Sequence, residues 1–154
     1  MLELVYGYDE EITRFIASFG VTNRDYGRCK TIGVVEDGQL IAGLVYFNYD
    51  PDAAVIELGT ASSSPRWLNR VTYRRMFEYP FIECGCQMLI VRVRADNAAL
   101  LSVLARMNFN LTYVPRMYGR DADGVLGTLT DDQWLDSNVA RRLYRDARKR
   151  MEAA

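Results

Sequence analysis

Glu57 interrupts an apolar run, Val55-Ile56-Glu57-Leu58. A carboxylate in the middle of such a segment needs a wet face or a partner. Arg92 and Arg94, alternating along Val91-Arg92-Val93-Arg94, offer two guanidiniums for a pair across a sheet. Any proton chemistry also has to pass through groups of this kind. The 154-residue chain contains no histidine, which excludes Ser-His-Asp and Cys-His catalysis, histidine-held metals and an imidazole base. What remains is carboxylates, Tyr, Ser, Cys, Arg and backbone amides, a set that suits a reaction whose co-substrate brings the activated group.

The other reactive side chains narrow the choice. Cys29, Cys84 and Cys86 are odd in number, and Cys84-Gly85-Cys86 lacks a common zinc spacing. They read as small buried thiols of a reduced protein, with no metal. Seventeen of the nineteen basic residues are Arg, which favours forked contacts to phosphate or carboxylate. Residues 1–60 hold ten acids and four bases, and residues 61–154 ten acids and fifteen bases. That balance is too mild to make a case for nucleic acid, and no run approaches the roughly 18 apolar residues of a membrane span. Met1-Leu2-Glu3-Leu4 carries an acid where a secretory leader carries Lys or Arg, so a cytoplasmic location is expected. With 49% hydrophobic and 25% charged residues, a chain of this length can bury a core without staples.

The elements that must position these groups follow from periodicity. Residues 8–19 read as a helix with Ile12, Phe15, Ile16 and Phe19 inward, ended by Gly20 and followed by a loop through Asn23, Asp25 and Gly27. Thr31–Glu36 and Leu40–Asn48 are strands about an Asp37-Gly38 turn, and Ala54–Ala61 completes an antiparallel meander. After the polar Ser62-Ser63-Ser64-Pro65-Arg66 break comes a helix with Leu68, Val71, Tyr73, Met76 and Phe77 on one face, ended or kinked by Pro80. Gln87–Arg94 is a strand, Asp96-Asn97 caps a helix from Ala98 to Met107, and Phe109–Val114 and Val125–Leu129 are the last strands, joined by a Gly119–Gly124 turn. A final helix over Asp131–Ala154, capped by Asp131 or Asp132, carries Val139, Leu143, Ala147 and Met151 as a stripe, opposite a cluster of Arg and Lys. Its stripe can cover its own domain or a second subunit, so a homodimer stays open. The order is a mixed α/β layer fold in which the β-α-β crossover over residues 54–94 places two parallel strands side by side.

This order resembles the GNAT (GCN5-related N-acetyltransferase) fold. The likeness is sharpest from Asn97 through Ala98-Ala99-Leu100-Leu101 to Asn108-Phe109, similar to the Asn, helix and Gly-Phe helix end that follow the family's fifth strand. It spans residues 1–135 as a GNAT-like acyltransferase domain and leaves 136–154 as a basic helical extension. It implies a central mixed sheet with an antiparallel N-terminal meander, a splayed parallel strand pair and flanking helices. The implied activity is transfer of an acetyl group from acetyl-CoA to a primary amine in a ternary complex. The acidic N-terminal half points to a cationic acceptor, a protein amine, polyamine or aminoglycoside. By the same resemblance Thr60, Ala61 and Ser62 pair with the pantetheine arm, Glu57 takes the amine proton, and Arg66, Trp67, Leu68, Asn69, Arg70 and Val71 stand where the family's glycine loop cradles the pyrophosphate. Trp67 stacks on adenine or anchors the helix. Two departures, the glycine-free loop and Leu104 at the place of the family's thiolate-protonating Tyr, keep a second reading alive: a catalytically silent GNAT-like binding or structural module.

Overall fold

The computed structural model describes residues 1–19, 25–136 and 138–153, without the side chains of residues 138, 139, 143, 144 and 147. Strand β1 (Leu2–Tyr6) precedes α1 (Asp9–Ala17), β2 (Cys29–Glu36), β3 (Gln39–Asp50) and β4 (Val55–Ser62). Then come α2 (Arg70–Glu78), β5 (Met88–Arg94), α3 (Ala98–Arg106), β6 (Asn110–Gly119), β7 (Ala122–Thr130), α4 (Asp131–Leu135) and α5 (Asn138–Ala153). The seven strands form one sheet in the order β1-β2-β3-β4-β5-β7-β6, antiparallel except where β4 runs parallel to β5.

The meander follows from its turns. Asp37 (φ 51°) and Gly38 (φ 80°) both take the left-handed conformations of a tight hairpin turn between Glu36 and Gln39. Alternation along β3 then divides the interior: Leu44 and Tyr46 face a large apolar cluster under α2 and α3, while Val45 and Phe47 face a smaller one under α1. Helix α1 supplies Ile12 and Ile16 and lies so close that a Cβ at Gly43 would stand 2.8 Å from Ile12 Cγ2.

Several expectations need correction. The apolar alternation of Leu2, Leu4 and Tyr6 is a strand, β1, which pairs with β2 from Leu2↔Glu36 to Tyr6↔Ile32; its one acid, Glu3, and the acids that follow in α1 hid a period-two pattern. Gly20 and Asn23 lie outside the described residues. The helix begins after Asn69 and so turns Thr72, Met76 and Phe77 inward, leaving Val71 52% exposed. A one-turn 3-10 segment, Pro65–Trp67, comes before it. The α-helix ends ahead of Pro80, at Glu78, as expected. The chain continues from Glu78 through one wide π turn, Tyr79–Glu83, which accommodates the ring without the missing N–H. The Gly119–Gly124 turn is mostly strand: Gly119 pairs with Ala122, and only Arg120 and Asp121 lie between them.

The C-terminal segment is two helices, and neither Asp131 nor Asp132 caps the first. Thr130 caps it, its hydroxyl accepting from the Gln133 N–H while the Gln133 side chain accepts from the Thr130 N–H. Trp134 is 3% exposed and stacks on Phe81 at 5.1 Å, so α4 belongs to the core. Ala140 is buried too, and Arg150 of α5 reaches Glu78 at 3.1 Å, so α5 lies along its own domain. Of the expected stripe, Met151 is exposed, and the side chains of Val139, Leu143 and Ala147 lie outside those described. Among the described residues no helix is long and apolar enough to cross a membrane.

Candidate functional site

The site begins where β4 and β5 part. Their parallel ladder runs from Val55↔Met88 to Leu58↔Val91 and stops. Beyond it each strand keeps its outer neighbour: β4 stays on β3 through Ser62↔Ala42, and β5 stays on β7 through Arg94↔Gly124. The phase of the open edge can be read from one bond. The Ser63 N–H donates to the Ile41 carbonyl at 2.8 Å, and antiparallel residues alternate between bonded and non-bonded pairs. Gly59 and Ala61 therefore aim their backbone groups at β3, whereas Thr60 and Ser62 turn theirs toward the gap.

On the α2/α3 side the gap opens into a groove of about 970 Å³, lined by Thr60, Ala61, Ser62, Trp67, Leu68 and Asn97 among others. Six of the expected binding residues thus meet in one place. Asn97 also caps α3, its Oδ1 accepting from the Leu100 N–H at 3.2 Å. Trp67 packs partly buried against the large apolar cluster, which gives it an anchoring role. Asn108 ends α3's turn at φ 73°, the left-handed cap that Asn adopts most readily after Gly. Leu104 is buried, 5% exposed, and serves only packing.

The remaining expected residues are not brought to this groove. Asn69, Arg70 and Val71 line a separate hollow of about 320 Å³ with Leu2, Glu3, Leu4 and Thr72. Arg66 pairs with Glu36 at 3.2 Å. Asn69 itself occupies the start of α2: its Oδ1 accepts from the N–H groups of Val71 at 2.8 Å and Thr72 at 3.0 Å. These are the donors that a helix terminus offers an anion.

On the α1 side the same gap opens into a second cavity of about 320 Å³, lined by Tyr26, Glu57, Thr60, Arg92, Arg94 and Tyr118 among others. Glu57 is only 5% exposed. Arg92 Nε lies 3.1 Å from its Oε2, and the Asn48 Nδ2 donates to its Oε1 at 3.2 Å. The carboxylate lines the cavity and has the partner across the sheet, Arg92, that the sequence offered it. Asn48 reaches it from a left-handed backbone conformation (φ 52°), at the irregularity between Phe47 and Asp50 where β3 slips its register on β4.

The far wall is built by an irregularity in β6. Between Val114 and Gly119 the register on β7 shifts, and Arg116 takes φ 64°. Asp123 holds this bulge: it accepts from the Arg116 N–H at 2.9 Å and from the Tyr113 hydroxyl, and these bonds keep its carboxyl below the usual carboxylate range. The bulge folds Met117 over Gly124, where a Cβ would meet Met117 Cβ at 2.8 Å, and brings Tyr118 beside Arg94, 5.7 Å from ring centre to guanidinium carbon. Tyr26 and Met117 escape a reading of the sequence, since a loop and a bulge carry no period. Arg92 and Arg94 were visible: a spacing of two on a strand puts both guanidiniums on one face. The cysteines are all free, and burial pushes the Cys86 thiol up to about 11.

No family model and no curated protein matches this sequence. Solved structures do match its fold. Mutant forms of the spermidine/spermine N-acetyltransferase SpeG from Vibrio cholerae superpose with a TM-score of 0.70 at 13% identity, over 88% of this chain and 98% of theirs. The dodecameric structure of the Vibrio cholerae spermidine N-acetyltransferase, in an intermediate state, gives 0.69 at 12% identity, over 88% and 96%. A probable acetyltransferase gives 0.60 at 17% identity, over 81% and 69%. The seven-stranded mixed sheet with its parted parallel pair is the fold of these acetyltransferases, as the resemblance to GNAT proteins led us to expect.

Proposed function

We propose that residues 1–135 form a cytoplasmic N-acetyltransferase that moves an acetyl group from acetyl-CoA directly to a primary amine, with 136–154 as a basic helical addition. The observation that carries this reading is the gap itself: two cavities on opposite faces of the sheet share Thr60. A thioester arm lying in the groove would present its carbonyl to an amine waiting in the pocket. Thr60 and Ser62 hold the arm through the backbone groups they turn to the gap, and a Thr60 N–H at the thioester oxygen polarises it. Trp67, Leu68 and Asn97 line the arm's path; for Arg66, Asn69, Arg70 and Val71 to hold the pyrophosphate, the cofactor would have to reach from the groove to the separate hollow at the start of α2. Glu57 accepts the proton that the ammonium must lose, directly or through water. Acyl transfer from an activated thioester asks chiefly for such alignment.

One observation favours the second reading, a silent module. The Asn69 side chain already satisfies two of the N–H groups the pyrophosphate would need. Titrating acetyl-CoA into the purified protein by calorimetry, with thermal melting beside it, decides between them. Saturating acetyl-CoA should raise the melting temperature, and Arg66→Ala combined with Arg70→Ala should remove the rise. No heat and no shift in the unaltered protein would leave the silent module.

A further inference from the structure

The acceptor pocket has a charge pattern that does not fit a polyamine. Among the described residues lining it, one carboxylate, Glu57, faces two guanidiniums, Arg92 and Arg94. Glu57 is already matched by Arg92 at 3.1 Å. Arg94 is the surplus. Its acidic neighbour Asp96, 3.4 Å from Nε, is 74% exposed and lies outside the pocket lining, so water screens much of that pairing. The Tyr118 ring lies against the face of the guanidinium, whose Nε–H is turned to Asp96, so that its two terminal NH2 groups, on a side chain 43% exposed, are what it offers a ligand. A guanidinium fixed on an aromatic ring, at a cavity wall, is built to receive a carboxylate or phosphate oxygen pair.

We infer that the acceptor is a small amine that also carries a carboxylate or phosphate, the anionic group on Arg94 and the amine beside Glu57. This rests on the acyltransferase reading and names its substrate class. Arg92 and Arg94 are two residues apart on β5 and Glu57 of β4 pairs with Arg92, so the anion site and the carboxylate lie on one face of the sheet, with Ile16 and Phe47 supplying apolar contact for the substrate's body. The volume, about 320 Å³, matches the low end of cavities that take small ligands. A multiply charged cation would instead meet two guanidiniums, which weighs against the expectation drawn from the acidic N-terminal half.

The test uses the full chain and acetyl-CoA with matched acceptors: leucine against leucinamide, O-phosphoethanolamine against ethanolamine, and spermidine. The anionic member of at least one pair should have a kcat/KM at least tenfold higher, and which pair does so separates carboxylate from phosphate. Arg94→Gln should cut the anionic-to-neutral ratio about tenfold through KM rather than kcat, and Arg94→Lys should restore part of it. Equal use of both members, a preference for spermidine, or an Arg94→Gln effect equal on both members overturns the inference. Should acetyl-CoA fail to bind, the acyltransferase reading falls by itself. The same pairs titrated into the protein alone then report on Arg94 directly, and equal affinity of each pair overturns the anion site.

Discussion

The two cavities that meet at Thr60 are made of different material. The groove rests on the larger apolar cluster; Trp67, Leu68, Leu100 and Val103 line it together with Ser62, Ser63, Ser64, Asn97 and Arg106. The pocket rests on the small cluster under α1; a carboxylate, two guanidiniums and two tyrosines line it beside Ile16, Phe47 and Met117. A wall of apolar and mostly neutral polar groups suits a carrier arm common to many reactions, whereas one that sets a carboxylate against two guanidiniums suits a particular acceptor. The difference also separates stability from selectivity. Damage to the groove side should fall on folding first, and damage to the pocket side on turnover.

The largest expected effect lies behind the groove. Trp134 fills the space between Phe81 and Phe77, at 5.1 and 6.1 Å between ring centres. Trp134→Ala should cost about 3–5 kcal/mol, read as a lowered denaturation midpoint, and acetyl-CoA affinity should fall with it. An unchanged midpoint would detach α4 from the core. On the pocket side, Glu57→Gln keeps the shape and the Asn48 contact but removes the proton acceptor. Turnover should drop on the order of 10²-fold while the acetyl-CoA dissociation constant stays within a few-fold. An unchanged rate across pH 6–9 would remove Glu57 from the mechanism. Gly124→Val acts more locally: its Cβ falls 2.6 Å from Met117 Sδ and 2.8 Å from Met117 Cβ, so the β6 bulge must move. About 1–3 kcal/mol of stability should be lost, and acceptor KM should rise with acetyl-CoA binding intact. Loss of both together would mean that the two cavities are not separable.

The same division shows in what the sequence disclosed. Regular elements were legible because burial imposes a period: β2, β3, β4, β5 and α3 lie within a few residues of where alternation and helical spacing put them. Thr60, Ala61, Ser62 and Asn97 could be placed in the groove because they are tied to the ends of such elements. The pocket depends instead on departures from regularity. Asn48 and Arg116 sit in left-handed conformations that no hydropathy pattern announces, and Tyr26 comes from the loop before β2. Strand β1 was lost for a related reason: Glu3 and the partly exposed Leu2 and Leu4 make an edge strand that looks half polar. Trp134 fell within the segment read as one final helix, and its burial went unread because aromatic identity alone, without a period, does not mark burial.

The smallest expected effect is the most discriminating. Asn69 makes α2 self-capped: its side chain takes the Val71 and Thr72 N–H groups at 2.8 and 3.0 Å. If acetyl-CoA brings its pyrophosphate to this helix start, the carboxamide and the phosphate compete for the same donors, and each binding event must first displace the cap. Asn69→Gly removes the competitor. The backbone at Asn69, φ −106° and ψ −179°, is extended and open to any residue, so the change adds no strain. An Asn-to-Gly exchange at an N-cap costs only a few tenths of a kcal/mol, so the free protein should melt marginally lower. Acetyl-CoA should bind a few-fold tighter, because the two N–H groups and the helix dipole are then open to the anion. Stability and affinity thus move in opposite directions. A calorimetric titration of both proteins reads this directly: unchanged or weaker binding by Asn69→Gly would show that the pyrophosphate does not use this helix start, and would move the anion's site to the arginines alone.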